Sequence, residues 1–242
     1  LSCGFILEEG FEISLLERIA RSMAETAEKD GVAIVTGDTK VVKKGACDRV
    51  FINTAGIGYL PADRTYGTDY IKVNDVILIS GFIGDHAAAV ITAREGFEIE
   101  SDIESDCQSV YPLVRKLTES LDTIRVMRDP TRGGLATVLN EFVEEKRVGI
   151  SVDEKKVPVR DEVKGICEPL GFDPLYLANE GKVVVVVSKE EAGKALALMR
   201  SHPLGRDAEI IGRVTDEEPG RIVLKTVIGS MRIVDMLSGE ML

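Results

Sequence analysis

Apolar and polar residues alternate along the chain with both helical and strand periods. In residues 13–29 the apolar side chains recur every three or four positions, which predicts an amphipathic helix that ends before Gly31. The valine run within residues 183–188 predicts a buried strand. Further helices are predicted over residues 87–95, 110–120, 135–145, 159–170 and 190–201, and strands over residues 1–7, 32–36, 49–53, 76–80, 124–127, 148–152, 208–214 and 221–227. Because these elements do not alternate strictly, the pattern favours an α+β fold over a doubly wound parallel sheet.

Length and composition narrow the class of protein. A chain of 242 residues, 44% of them hydrophobic, can bury one large core or two modest ones. Residues 59–75 are rich in turn-forming residues and mark the best domain boundary. The net charge of −11 argues against nucleic acid or an anionic membrane as the main partner, since both require a basic surface. No apolar stretch approaches the roughly 20 residues that span a bilayer.

Cysteine and histidine usage argues against a zinc or disulfide framework. The four cysteines are far apart, without a C-x-x-C pair, as expected for small buried residues in a reducing compartment. The two histidines cannot form a histidine-rich metal site, so any metal should be a hard cation such as Mg²⁺, bound by carboxylate and phosphate oxygens. We therefore expect a cytoplasmic protein.

The common nucleotide and hydrolase motifs are absent, which leaves four polar loops at predicted strand ends. There is no G-x-x-x-x-G-K-[ST] sequence, and the GIGYLP stretch at residues 56–61 has proline where a dinucleotide motif needs its third glycine. No G-x-S-x-G elbow or H-E-x-x-H helix occurs either. Candidate chemistry therefore has to be sought in the loops themselves.

The first loop is Gly37-Asp38-Thr39-Lys40, predicted to follow the strand over residues 32–36. Its glycine allows backbone N–H groups to approach a phosphate, Asp38 can hold Mg²⁺, and Lys40 supplies positive charge or, when desolvated, a base. The alternative is a polar turn in which Asp38 bonds its own backbone. The spacing does not decide between the two.

The second loop covers residues 128–134, between a predicted strand and a predicted helix. Arg132 and the two glycines after it are suited to an anion-binding site, because unpaired N–H groups and the helix dipole both favour negative charge. The alternative makes Asp129 or Thr131 an ordinary N-cap. An N-cap needs neither an arginine nor paired glycines, so the pattern favours an anion-binding site.

The other two loops are Asn179-Glu180-Gly181, directly before the valine run, and residues 80–86. A carboxylate at the mouth of a buried strand can have its pKa raised by desolvation and act as a base, although most such glutamates are simply solvated. Glu180 is therefore a candidate base. A histidine such as His86, in the fourth loop, is more often a structural residue with its hydrogen bonds satisfied than a catalyst.

Together and in this order, the loops resemble the aminoimidazole ribonucleotide synthetase (PurM-like) superfamily and, within it, the HypE family of hydrogenase maturation proteins. The sequences that carry the resemblance are LSCGF (residues 1–5), GDTKVV (37–42), GDH (84–86), RDPTRGGLA (128–136), ANEGK (178–182) and DMLSGE (235–240). The resemblance covers essentially the whole chain. One departure is Ala87, where the family usually has glycine, which puts a close backbone approach at that turn in doubt.

The resemblance implies a two-domain PurM-like α+β fold with ATP between the domains. Residues 1–66 would be the remainder of an N-terminal ATP-binding domain whose sheet pairs with a second subunit, and residues 67–242 a complete C-terminal domain. The implied reaction is the ATP-dependent dehydration of a carbamoylated cysteine, S–C(O)NH₂, to a thiocyanate, whose cyanide goes to the iron of [NiFe] hydrogenase. The implied partners are a second copy of the chain, the carbamoyltransferase HypF and the HypC–HypD iron scaffold.

The same resemblance assigns roles to the loop residues. Lys40 and Glu180 would remove protons from the amide nitrogen, with orientation of the amide or neutralisation of charge as the alternative role for Lys40. Asp38 would hold Mg²⁺·ATP. Further contacts with phosphate or with the protein's C-terminal tail are assigned to Thr39, Arg132, Gly133 and Gly134.

The ends of the chain suggest further expectations and alternatives. The family's Gly- and Asp-rich ATP-binding segment is expected before Leu1, and its terminal Pro-Arg-Ile-Cys after Leu242, so none of the four cysteines present takes the acceptor role. We therefore expect this exact chain to be inactive in cyanide synthesis and to dimerise weakly. One alternative is another PurM-like ATP enzyme, such as a thiamine-phosphate kinase or a selenophosphate synthetase. The other is a non-catalytic module that docks HypF or HypC–HypD.

Overall fold

The computed structural model describes residues 1–94 and 102–237. The chain divides into two compact units, Leu1–Arg64 and Thr65–Leu242. In the described part no helix is long and apolar enough to cross a membrane. Residues 238–240 of the DMLSGE motif, and the last residue of the helix predicted over residues 87–95, lie outside the described residues.

The first unit is a β–α–β crossover with a third strand added. Its elements are β1 (Ser2–Glu8), α1 (Ile13–Lys29), β2 (Thr36–Val42) and β3 (Val50–Ala55). The central strand β1 pairs parallel with β2, which requires the crossover through α1, and antiparallel with β3. Helix α1 has the bounds that its apolar period predicted.

The strand predicted over residues 32–36 is wrong, because this segment closes the end of α1 instead. The Val32 N–H donates a hydrogen bond of 2.8 Å to the Ala27 carbonyl oxygen. Strand β2 begins only at Thr36, so the GDTK segment lies within a strand and not in a loop after one. Its polar side chains are compatible with a strand because β2 is exposed and lies at the edge of the sheet.

The second unit is a seven-stranded sheet covered by helices. Its elements are β4 (Val76–Ile79), α2 (Asp85–Ala93), α3 (Tyr111–Ser120), β5 (Ile124–Arg128), α4 (Gly134–Lys146), β6 (Gly149–Asp153), α5 (Asp161–Leu170), β7 (Val184–Val187), α6 (Ala192–Arg200), β8 (Glu209–Thr215), β9 (Ile222–Lys225) and β10 (Met231–Ile233). The strand order is β10-β9-β6-β8-β4-β7-β5, antiparallel except for the parallel pair β6 and β9. This mixed sheet confirms the predicted α+β class. The short, largely exposed β10 was missed.

Helices bury both faces of the larger sheet. On one face α4 contributes Leu139 and Phe142 to an apolar cluster, and on the other α3 and α6 contribute Leu117 and Met199. The valines of β7 (Val184–Val187) alternate between these two clusters and are all fully buried. Burial on both faces explains why this strand reads as an unbroken apolar run. Helices α2 and α5 enclose a third, smaller cluster.

Candidate active site

Three of the four candidate loops meet at one end of the larger sheet. Strand β7 is antiparallel to both of its neighbours, and Val184 at its start pairs with Ile79 at the end of β4 and with Arg128 at the end of β5. The loops that leave β4 and β5 therefore lie beside the loop that enters β7. These are the loops that carry Asp85, Arg132 and Glu180.

The fully buried side chain of Asn179 holds these loops together. Its Oδ1 accepts a hydrogen bond of 2.8 Å from the Gly84 N–H. Its Nδ2 donates to the carbonyl oxygens of Pro130 and Leu177, both at 2.9 Å. Sequence reasoning included Asn179 only as a member of a motif and missed this role. The available signal was an amide directly before a strand buried on both faces, because such a position demands satisfied polar groups.

The turn into α4 needs its two glycines. Gly133 and Gly134 both have left-handed backbone angles, with φ of 70° and 62°. A Cβ at position 134 would lie 2.5 Å from the Leu177 carbonyl oxygen, so this backbone packs directly against another. The alternative of an Asp129 or Thr131 cap is wrong: Gly133 is the N-cap residue, and Asp129 Oδ2 instead accepts a hydrogen bond of 3.0 Å from Thr131 Oγ1.

A polar cavity of about 450 Å³ opens at this N-terminus of α4. It brings together Arg132 and Glu180, two of the predicted site residues, and adds Arg128 and Glu141, whose side chains form an ion pair with a distance of 2.9 Å from Nη2 to Oε2. Glu180 is exposed, so burial does not desolvate it here. Within the described residues its carboxylate makes no hydrogen bond or ion pair.

The backbone around Glu180 is held by Asp106. The Asp106 carboxylate accepts hydrogen bonds from the Glu180 and Gly181 N–H groups, at 3.0 and 3.3 Å, and from Lys182 Nζ at 2.7 Å. Neither Asp106 nor Lys182 was singled out from the sequence as a site residue, because Asp106 is 74 residues from Glu180 and no local pattern links them.

The fourth loop carries a second buried carboxylate, Asp85. Burial raises the pKa of Asp85, although a hydrogen bond of 3.0 Å from Arg160 Nε acts in the opposite direction. The Arg160 guanidinium also stacks over Phe82, with Cζ 4.1 Å from the ring centroid. His86 Nδ1 lies 2.8 Å from Ser105 Oγ, in accord with a structural histidine. The close approach at this turn falls on Gly84, where an added Cβ would lie 2.9 Å from Val163 Cγ1.

The remaining predicted residues lie in the first unit, on β2. In the register of the sheet Asp38 pairs with Gly4 and Lys40 with Ile6, so Asp38 and Lys40 share one face and Thr39 faces the other. All three are exposed, and Asp38 Oδ1 accepts a hydrogen bond of 2.8 Å from the Thr39 N–H. The described residues contain no group of three or more His, Cys, Asp or Glu side chains that could hold a metal ion. A single carboxylate suits Mg²⁺ only where phosphate oxygens and water complete its shell.

The cysteines offer no nucleophile at the cavity. All four are free thiols, and none lines the cavity that contains Glu180. Cys3 and Cys167 are buried as expected, but Cys107 is exposed and Cys47 only half-buried, so the expectation of burial is wrong for these two. Burial raises the pKa of Cys167 to about 11, which keeps it a neutral thiol at physiological pH.

Family models match both units of the chain. Residues 1–60 match the N-terminal domain of AIR synthase related proteins, and residues 72–225 match the C-terminal domain. The fold is also similar to that of a thiamine monophosphate kinase from Aquifex aeolicus, at 20% identity and a TM-score of 0.63, which shows a shared fold alone.

Individual relatives are much more similar. The carbamoyl dehydratase HypE of Rhodobacter capsulatus is 48% identical over 242 residues, which are 100% of this chain and 71% of that protein. A solved HypE–HypF complex matches at 49% identity and a TM-score of 0.93, over 98% of this chain and 77% of the other. A solved HypE in complex with ATP matches at 45% identity and a TM-score of 0.93, over 98% and 73%. The chain therefore belongs to the AIR synthase related (PurM-like) family and, within it, to the HypE proteins of hydrogenase maturation.

Proposed function

We propose that the protein uses ATP to dehydrate a carbamoyl group carried on a cysteine sulfur, and so makes a thiocyanate for the cyanide ligands of [NiFe] hydrogenase. The observation that carries this proposal is the cavity at the N-terminus of α4, where Glu180, whose carboxylate has no partner among the described residues, lies with Arg132 beside a glycine turn. The names of the relatives as carbamoyl dehydratases and the ATP complex of one of them support it.

The chemistry requires an oxygen to leave and two protons to be removed. The net change is S–C(O)NH₂ plus ATP to S–C≡N plus ADP, hydrogen phosphate and one proton, so the amide oxygen and one amide proton leave with the phosphate and the other proton goes to solvent. ATP supplies the phosphoryl group that turns this oxygen into a leaving group. Amide protons are very weak acids, so the base must lie within hydrogen-bond reach of the nitrogen. Glu180 suits this role because nothing in the described residues competes for its oxygens.

The other predicted residues have supporting roles in the proposal. Lys40 acts as the second base or neutralises the charge that develops on the amide. Asp38 would hold Mg²⁺ together with the phosphates of ATP. Arg132 and the turn formed by Gly133 and Gly134, in which the Gly134 N–H already donates to the Thr131 carbonyl oxygen at 3.0 Å, bind phosphate or the peptide that carries the cysteine. Thr39 is a further such contact. These assignments rest on the resemblance of the GDTKVV and RDPTRGGLA motifs to the family, and the matches of both domain models support membership of that family.

The partners follow from the same proposal. HypF delivers the carbamoyl group, which the solved HypE–HypF complex of relatives supports, and the HypC–HypD scaffold receives the cyanide. The protein acts as a homodimer in the cytoplasm. The first unit supports this by exposing large apolar side chains on its sheet, among them Ile6 and Phe51.

Intact-mass spectrometry of the full-length protein tests the reaction. With HypF, its substrates and Mg²⁺·ATP, we expect the mass of a carbamoyl group to be gained and then the mass of one water to be lost, only when ATP is present. In Glu180→Gln the gain should persist while the loss of water slows by roughly 100-fold or more. The matched control is Glu162→Gln, an exposed glutamate of α5 with no role in the site.

The outcomes separate the proposal from its alternatives. If no adduct forms although ATP binds, the dehydratase proposal is wrong and a small-molecule phosphoryl acceptor is indicated. If the carbamoyl group is gained but no water is ever lost, the protein is a docking partner without the catalytic step. If Glu162→Gln is impaired as strongly as Glu180→Gln, the assigned base is wrong.

A further inference from the structure

Residues 102–110, directly before α3, have no regular secondary structure and lie beside the loop that enters β7. From them, the Asp106 carboxylate reaches two consecutive backbone N–H groups, those of Glu180 and Gly181. These two groups flank the Cα atom of Glu180, so together they restrict the φ and ψ angles of that residue. The direction of the bond from Cα to Cβ follows from those angles, and it limits the region that the carboxylate can reach through its side-chain rotamers.

The contact between the segment of Asp106 and the loop of Glu180 is close and buried. Asp106 and Lys182 form an ion pair whose side chains are only 4% and 9% exposed. A Cβ at position 181 would lie 1.8 Å from the Asp106 carbonyl oxygen, so only glycine allows the two backbones to approach in this way. Both oxygens of the carboxylate are used, Oδ1 by the Glu180 N–H and Oδ2 by Gly181 and Lys182.

The ion pair also engages the ammonium group that is nearest to Glu180 along the chain. The Lys182 ammonium is two residues away along the chain and is a potential partner for the Glu180 carboxylate. Its charge is instead satisfied by Asp106, and within the described residues Glu180 stays unpaired. A base that was paired with an ammonium would lose basicity, since an opposite charge favours the ionised form.

We propose that Asp106 is a positioning residue for Glu180: it fixes the backbone on both sides of the base and diverts Lys182 from it. This inference rests on the proposed function, in which Glu180 removes a proton from the amide. It matters because a base misplaced by about 1 Å can lose roughly 100-fold in rate. Asp106 itself touches neither substrate nor reacting atoms in this role.

The test variant is Asp106→Asn/Lys182→Met in the full-length protein. Removing both charges avoids an orphaned buried ion, and such exchanges are often tolerated in folding. The Glu180 and Gly181 N–H groups donate to different oxygens of Asp106, and asparagine replaces one of these oxygens by an NH₂ donor, so one of the two bonds is lost. We expect kcat for the loss of water to fall roughly 10- to 100-fold, with KM for ATP changed less than about twofold.

Amide hydrogen exchange supplies a readout that does not depend on activity. In the double variant the Glu180 and Gly181 amides should exchange at least about tenfold faster, while the Asn179 amide, bonded to the Pro130 carbonyl, should keep its rate. The matched control is Glu191→Gln, because Glu191 likewise accepts two backbone N–H bonds, from Asp122 and Thr123, but at the start of α6. It should lose stability and keep kcat.

Each outcome decides one claim. Full kcat in the double variant, or unchanged exchange at Glu180 and Gly181, would overturn the role of Asp106 while the dehydratase function stands. An equal loss of kcat in Glu191→Gln would show a general effect of stability and also overturn it. Absence of water loss in the wild-type protein would overturn the proposed function, and the role of Asp106 with it.

Discussion

The side-chain amide of Asn179 uses its Nδ2 group and its oxygen in three bonds to backbone groups. Gly84 and Pro130 belong to loops that are distant in sequence, whereas Leu177 belongs to the segment of Asn179 itself, so one residue joins both loops to the loop that enters β7. An aspartate would face two carbonyl oxygens with a carboxylate, and no other side chain of this size has the same donors and acceptor. The precision of the candidate site therefore depends on a residue with no chemical step of its own.

Asn179→Ala should be strongly destabilising. It removes three buried hydrogen bonds, and although the Pro130 carbonyl oxygen keeps the backbone N–H of residue 179, the Gly84 N–H and the Leu177 carbonyl oxygen lose the side-chain partner that they have here. We expect this to lower the free energy of unfolding by about 3 kcal/mol. The comparison is Asn140→Ala: Asn140 is also buried but only donates, to the carbonyl oxygens of Ala136 and Val234, so about 1–2 kcal/mol should be lost. Urea unfolding of both variants measures the difference. Equal losses would contradict the special role of Asn179.

At the scale of elements, the start of α4 is determined by backbone conformation more than by side-chain capping. Gly134 combines a positive φ with a position where an added Cβ would lie 2.5 and 2.6 Å from the carbonyl oxygens of Leu177 and Leu175. Gly165, inside α5, has open space around it and no positive φ. The two glycines therefore give opposite expectations for the same substitution.

Gly134→Ala should lower the free energy of unfolding by more than about 2 kcal/mol, since it strains the backbone and clashes with carbonyl oxygens. Gly165→Ala should raise it by about 0.5–1 kcal/mol through helix propensity. Thermal and urea unfolding of the pair measure both signs. A stabilised Gly134→Ala would mean that the turn into α4 does not need its left-handed conformation.

The elements differ in how far sequence predicts them. Helix α1 was predicted residue for residue because its apolar period is strong and a glycine follows it. Strand β2 was misplaced because its polar edge sequence resembles a loop, while the apolar residues 32–35 before it resemble a strand. Pairing with β1 outweighs the local preference there.

The candidate site was predictable as separate loops but not as an assembly. Arg132 and Glu180 were identified from glycine turns at strand ends, and both line the same cavity. Their proximity depends on β7 lying antiparallel to both β4 and β5, and strand order is not readable from periodicity. Asp106 acts through a contact across 74 residues of chain, for which a single sequence carries no signal. The position of Asn179 before a buried strand indicates a polar side chain that needs partners, but not which loops supply them.

At the scale of the whole molecule, the apolar core is distributed unevenly between the units. The three clusters of buried apolar residues all belong to Thr65–Leu242. In Leu1–Arg64, all of which the structure describes, only Cys3 and Leu7 are buried apolar residues, while Phe51 is 51% exposed. The second unit thus has an apolar core of its own, as an independent domain does, and the first unit does not.

A fragment of residues 65–242 should fold alone and unfold cooperatively, whereas residues 1–64 should not form a stable domain in isolation. Circular dichroism during thermal unfolding, with urea titration of the same fragments, measures this. The intact chain is the control, and its main transition should match that of the larger fragment. A sharp transition in the smaller fragment would contradict the expectation.

The contacts that surround Glu180 also bear on the order of events during folding. Asp106 bonds to Glu180 across 74 residues of chain, Asn179 to Gly84 across 95, and Ser80 to Val183 across 103. Closing each of these long loops costs chain entropy, which is offset only when further contacts form, so such pairs form late. A chain emerging from the ribosome would accordingly assemble helices and neighbouring hairpins first, and would gain its proton acceptor in working position only in the last stage of maturation.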